Sequence, residues 1–295
     1  MSLHPHRRAG SSGQRELQWA LLVTVATMVM ELIAGLISGS LALLADAGHM
    51  MTDGLALSVS LFASWIATKP ATPEKTYGYY RTEILAALCN GVLLWLLVIW
   101  IDVRAVQRLA HPQPIVTGPM LVAATVGLLA NLLSSRLLRR ASCQNLNIQG
   151  ARLHVLSDAL GSVGVIAAGL AIWLKGWVIA DPIASLFISV LIAANSWLLI
   201  TRSVHVLLEG APAHLNLTRI LEAMREVTGV QDVHDVHVWT ITTGLEAMSG
   251  HVTVTHLGEG PAIVAALNRL LAERFGVTHT TFQVELGHDT CETTH

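Results

Sequence analysis

The chain has 295 residues, 53% of them hydrophobic and 13% charged, with a mean hydropathy of +0.56. Soluble domains carry about 25% charged residues, so most of this chain belongs in a lipid bilayer. A formal net charge of -2 supplies no basic field for nucleic acid.

The first stretch, residues 1–16, reads "MSLHPHRRAGSSGQRE". It is polar and lacks the short apolar core and cleavage site of a signal peptide. Its His4 and His6 are too few to define a metal site. Six segments then reach the roughly 20 apolar residues that a crossing helix needs. They cover residues 17–38, 41–68, 83–109, 119–138, 148–174 and 182–208. Pro70, Pro73, Pro112, Pro114, Pro119 and Pro182 fall between spans or at their starts, where they interrupt no helical hydrogen bond. Lysines and arginines in the short connections divide ten to three, with Arg104, Arg108 and Lys175 on the poorer side. The richer side faces the cytoplasm, and both termini lie there.

Beyond Glu209 the pattern changes. "HLNLTRILEAMREVTG" carries apolar residues at helical spacing, whereas "VHDVHVWTI" and "MSGHVTVTH" alternate like half-buried strands. "GPAIVAALNRLLAERFG" reads as a helix between Gly-Pro and Gly, and "THTTFQVEL" as a third strand. The expected fold is a polytopic α-helical membrane protein of six transmembrane helices with a C-terminal cytoplasmic α+β domain of order αββαβ. The expected divisions are a polar N-terminus (1–16), a membrane domain (17–208) and a tail domain (209–295).

The chemistry is concentrated in two spans. The second carries "LLADAGHMMTDGLAL", with His49 and Asp53 four residues apart; the fifth carries "HVLSD", with His154 and Asp158 at the same spacing. Positions i and i+4 share a helix face. Two such faces brought together offer two imidazoles and two carboxylates, a four-coordinate set suited to Zn²⁺ or a similar divalent ion. Burying one charged side chain in lipid costs at least about 2.5 kcal/mol, and a shared cation offsets that cost. A single pair could serve as an interhelical hydrogen-bonding couple; two copies of H-x-x-x-D favour a site. Because these ligands bind metal only when deprotonated, metal and protons are coupled. Asp46, three residues before His49, is either an acceptor for the imidazole N–H or a helix-start residue, the second being favoured. Glu31, Asn90 and Asn131 read as interhelical partners or lining of an aqueous path, "GLISGS" and "DALGSVG" as close-packing segments, and Cys89 as an apolar packing residue. Three cysteines, Cys89, Cys143 and Cys291, form no CxxC pair and suggest no disulfide framework.

"SGSLALLADAGHMMTD", "GARLHVLSDALGSVG", "WVIADPIASLFISVLI", "LLEGAP" and "VHDVHVW" resemble the cation diffusion facilitator family, most closely its bacterial zinc-exporting, ZitB-like members. The resemblance covers the chain beyond the polar N-terminus. It implies a homodimer in the bacterial inner membrane that exchanges cytoplasmic Zn²⁺, and Cd²⁺ with it, for protons by alternating access. It implies a transport site of His49, Asp53, His154 and Asp158, and a metallochaperone-like tail. Some relatives hold a further metal in the loop between spans two and three. Here that loop reads "KPATPEKTYGYYRTE", with Lys75 and Tyr79 where histidines would stand, and an ammonium has no lone pair to give. Arg81 and Glu209 occupy positions where the family places opposite charges that link the membrane and cytoplasmic parts across the dimer. Otherwise they are two solvated charges, worth about 0–1 kcal/mol as a pair.

The tail is rich in histidine: His214, His234, His237, His251, His256, His279, His288 and His295. His234, His251 and Glu285 match the positions at which the family binds regulatory zinc, with His279 and Cys291 as possible additions. Strand alternation puts His237, three residues from His234, on the opposite face. The favoured function is a proton-coupled Zn²⁺ exporter and not an enzyme, since no H-E-x-x-H motif suggests an intramembrane metalloenzyme. No Walker motif suggests ATP as the energy source. The alternative is a metal-gated sensor that binds metal without moving it.

Overall fold

A computed structural model describes residues 11–142, 146–242 and 244–287. Among them, six helices are long and apolar enough to cross a membrane. These are α1 (Ser11–Ser38), α2 (Leu41–Ala67), α3 (Thr82–Ala110), α4 (Thr117–Ser142), α5 (Leu146–Lys175) and α6 (Ala180–Leu207). Their ends fall within six residues of the spans read from the sequence, α1 beginning earliest because the polar flank "SSGQRE" continues the helix without being apolar. Pro119 and Pro182 lie in the first turns of α4 and α6, where the missing N–H would have no intrahelical partner.

Contacts group the chain into two compact units, Met1–Ser58 with Asn90–Leu198, and Val59–Cys89 with Leu199–His295. The first has a core that includes Leu43, Ile101, Met120, Val165 and Ile188. One end of this unit is held by a buried polar network. "GLISGS" packs closely at Gly35, where an added Cβ would stand 2.9 Å from Leu44 Cδ2, and it also makes a corner. Gly39, at φ +71°, turns the chain between α1 and α2, and Ser40 Oγ caps α2 by accepting from Leu43 N–H at 3.2 Å. Asp181, at the start of α6 and fully buried, takes over the remaining free amides of α2. It accepts from Leu41 N–H (2.8 Å) and Ala42 N–H (3.3 Å), and from Ser40 Oγ (2.5 Å). Arg108, near the end of α3, faces the same carboxylate at 3.5 Å and donates to the Gly39 carbonyl. Val116 N–H, just before α4, donates to the Ser38 carbonyl.

The starts of α2, α4 and α6 and the end of α3 therefore meet at one level. The end of α5 joins them, being only a short turn from α6. It follows that α2 and α5 run antiparallel.

The second unit contains the tail: α7 (Leu217–Arg225), β1 (Val230–Thr242), β2 (Leu245–Val254), a 3-10 turn (Leu257–Glu259), α8 (Gly260–Phe275) and β3 (His279–Leu286). The expected αββαβ order is observed. β2 is central, antiparallel to β1 and parallel to β3. Ile220 and Met224 of α7 and Ile263, Leu267 and Leu271 of α8 pack with Val233, Val238, Met248 and Val252 on one sheet face. The other face is left for polar residues.

Candidate metal sites

Within the membrane unit, His49 and Asp53 lie one turn apart on α2, with Nε2 and Oδ2 at 3.6 Å. Asp158 on α5 is buried, with 4% of its surface exposed. His154 falls one turn earlier on α5; its side chain lies outside the described residues. The level of the two helices is fixed by Gly161. A Cβ there would stand 3.3 Å from Asp46 Oδ1, so Asp46 of α2 packs directly on the α5 backbone. In antiparallel helices, moving three residues along one matches moving three back along the other. His49 is then level with Asp158, and Asp53 with His154.

Asp46 is thus not a helix-start residue. It is the sixth residue of α2 and 3% exposed, and the task of starting α2 falls to Ser40 and Asp181. Glu31, 1% exposed on α1, sits where a Cβ on Gly127 of α4 would collide with its carboxylate. Asp158, Asp46 and Glu31 are close enough for their charges to interact. Cys89 points outward from α3 and is exposed, not packed. Cys143 and Cys291 lie outside the described residues, as do His4, His6, His288 and His295.

In the tail, three strands bring His234, His251 and Glu285 together. One ligand atom from each lies within 4.8 Å of the others. Glu285 Oε1 meets His234 Nε2 at 2.9 Å and His251 Nδ1 at 3.1 Å. The residues share the sheet face that the helices leave free. His234 is paired with His251 across β1 and β2, and Glu285 with Thr253 across β2 and β3.

His237 differs from expectation. The register passes from His234↔His251 to His237↔Ser249, so two residues of β1 oppose Gly250 alone. This bulge resets the alternation and returns His237 to the His234 face. Asp235, inside the bulge, has φ +48° and meets His237 Nε2 at 3.0 Å.

His279 is not brought to the cluster. It lies six residues before Glu285 on β3, about 20 Å away along the strand. There it stacks edge-on against Tyr77 of the α2–α3 loop, with centroids 5.8 Å apart.

The ends of the strands remote from the cluster meet the ends of two membrane helices. Thr242 of β1 donates to Glu83 Oε2 of α3 (2.8 Å), and Ser64 of α2 donates to Oε1 (2.7 Å). Glu83, Thr242, His279, Lys69 and Tyr80 line a cavity of about 640 Å³. Arg81 and Glu209 form an ion pair at 2.9 Å within this chain, where the resemblance implies a link across the dimer. Lys75 lies over the Tyr79 ring at 4.4 Å.

A family model described as the cation efflux transmembrane domain matches residues 17–208, and one described as the cation efflux protein, cytoplasmic domain, matches residues 212–286. The chain belongs to the cation efflux family. The Cadmium, cobalt and zinc/H(+)-K(+) antiporter of Bacillus velezensis is 40% identical over 287 residues, which are 96% of this chain and 91% of that protein. Zinc transporter ZitB of Escherichia coli is 40% identical over 289 residues, 96% of this chain and 92% of that one. The metal-bound C-terminal domain of the CzcD transporter from Cuprividus metallidurans is 29% identical and covers 24% of this chain and all of that one, with a TM-score of 0.23. This cation efflux protein is accordingly a multi-pass membrane protein of a metal-transporting family.

Sequence reasoning missed Asp181, Asp235 and Glu83. Asp181 precedes Pro182 and reads as the start of its own helix. Nothing local shows that it also serves α2.

Proposed function

We propose that this chain is a proton-coupled secondary transporter that exports Zn²⁺, and Cd²⁺ with it, from the cytoplasm. It works as a homodimer in the bacterial inner membrane with both termini cytoplasmic. The observation that carries the reading is the level pairing of His49 with Asp158 and of Asp53 with His154 between antiparallel helices. Each level contributes one nitrogen and one oxygen ligand. Four such ligands, with no thiolate, suit an ion that must bind and also leave.

Open to the cytoplasm, two neutral imidazoles and two ionised carboxylates carry about two negative charges and attract the ion. Facing outward, a histidine takes a proton, which removes a lone pair and adds repulsion, so the metal departs. The protonated site turns back and releases its proton inside.

The tail cluster is the regulatory part of this reading. Two imidazoles and a carboxylate give three protein ligands with a fourth position open, a set that fits Zn²⁺. A metal there would tie β1, β2 and β3 together, and β1 ends against Glu83 of α3 while β3 begins against Tyr77 of the α2–α3 loop. The same cluster is what favours the second reading, a sensor that binds metal without moving it.

Metal flux in proteoliposomes with an imposed pH gradient separates the two. The transporter accumulates Zn²⁺ against its gradient and dissipates the pH difference. Binding without flux, over Zn²⁺, Cd²⁺ and Mn²⁺ alike, would leave only the sensor.

A further inference from the structure

The tail cluster has an outer partner in Asp235. His251 presents two ring nitrogens to two different carboxylates. Nδ1 faces Glu285 Oε1 at 3.1 Å, inside the proposed metal position, and Nε2 faces Asp235 Oδ2 at 3.9 Å, outside it. We infer that Asp235 is the positioning residue of the tail metal site, orienting the His251 imidazole so that Nδ1 offers its lone pair to the metal. This inference rests on the tail-site reading given above.

A neutral imidazole carries one proton, and the nitrogen that holds it cannot bind metal. With a metal between Nδ1 and Glu285 the proton must sit on Nε2, and the Asp235 carboxylate 3.9 Å away favours it there. Metal-bound histidines usually donate their second N–H to such an acceptor.

The backbone gives the independent support. Asp235 adopts φ +48°, a left-handed conformation that costs most L-residues on the order of 1–2 kcal/mol and that Asp tolerates better than most, though less well than glycine. The bulge that creates it presses Val236 onto Gly250, where an added Cβ would meet Val236 Cγ2 at 3.0 Å. A glycine at 235 would remove the strain, yet the chain keeps a carboxylate. That carboxylate reaches His251 with one oxygen and His237 with the other (3.0 Å). His237 therefore holds the carboxylate in place without being a ligand.

The test uses the full-length chain in detergent, with Asp53→Ala and Asp158→Ala disabling the membrane site, and Zn²⁺ affinity measured against a chromogenic chelator. In this parent, Asp235→Ala and Asp235→Gly should each weaken Zn²⁺ binding about ten- to a hundredfold. Asp235→Asn, which keeps an acceptor oxygen, should restore most of the affinity. Asp235→Gly should at the same time raise resistance to unfolding relative to Asp235→Ala, because it relieves the backbone strain. Weak binding in the more stable variant separates positioning from a general structural role. With Co²⁺ in place of Zn²⁺, the visible bands should shift in the Ala and Gly variants and return in the Asn variant. Unchanged affinity in Asp235→Gly overturns the inference while leaving the site intact. A parent whose Zn²⁺ binding is insensitive to Glu285→Ala overturns the tail site and this inference with it.

Discussion

Asp181→Ala should be the most damaging single change at the end of the membrane unit where α2 begins. The carboxylate is fully buried, accepts three hydrogen bonds from the start of α2 and faces Arg108. Hydrogen bonds to a charged group contribute about 1.5–3 kcal/mol each, and loss of a helix cap costs about 1 kcal/mol. These overlap, since all run through one side chain. The better guide is removal of one partner from a buried charge pair, about 3–5 kcal/mol. Arg108, only 18% exposed, would keep the Gly39 carbonyl as an acceptor but lose its counter-charge. Asp181→Asn retains one acceptor oxygen and should lose about half as much, roughly 2 kcal/mol. Equilibrium unfolding in mixed micelles, with tryptophan fluorescence as the signal, measures both. Because the network sets where α2 starts, the level of His49 against Asp158 should loosen as well, and Zn²⁺ flux should fall with stability. An Asp181→Ala variant within about 0.5 kcal/mol of the parent, the range of ordinary surface changes, would refute this account of how α2 is held.

Asp53→Ala and Asp158→Ala should each abolish Zn²⁺ flux in proteoliposomes while dimers persist by size-exclusion; full transport by either would remove that residue from the site. His49→Asp should keep some transport but widen the metal range, since oxygen ligands suit harder ions such as Mn²⁺, as read by competition among Zn²⁺, Cd²⁺ and Mn²⁺. Replacing His234, His251 and Glu285 together with Ala should change the zinc dependence of flux more than its maximum, and complete loss of flux in a folded variant would contradict a purely regulatory tail. With those tail ligands removed, Zn²⁺ affinity should be highest at neutral pH and above and should fall between about pH 7 and 6, the region where histidine as a residue type gains its proton. Proton release on Zn²⁺ binding, followed with a dye in weak buffer, should accompany it.

Much of this architecture was legible along the chain. Six apolar runs of bilayer length, the switch from helical to alternating pattern after Glu209, and two H-x-x-x-D pairs are local regularities. Each follows from lipid thickness, strand pleat or helical pitch, which repeat over a few residues. Family resemblance extended them to His234, His251 and Glu285, which the fold brings within coordinating distance of one another. What required the tertiary structure were the places where one segment completes another. Asp181 looks like the start of α6 and is also the cap of α2, because an amide N–H left free at a helix end donates to whatever buried acceptor the fold delivers. Asp46 looked like a helix start and instead packs on Gly161, since only the contact between α2 and α5 fixes their relative level. His237 was assigned to the wrong sheet face because alternation holds only while the ladder is regular. A single inserted residue at Asp235 shifts the side chains from His237 to Thr240, and the register that reveals the insertion is set by β2, a different part of the chain.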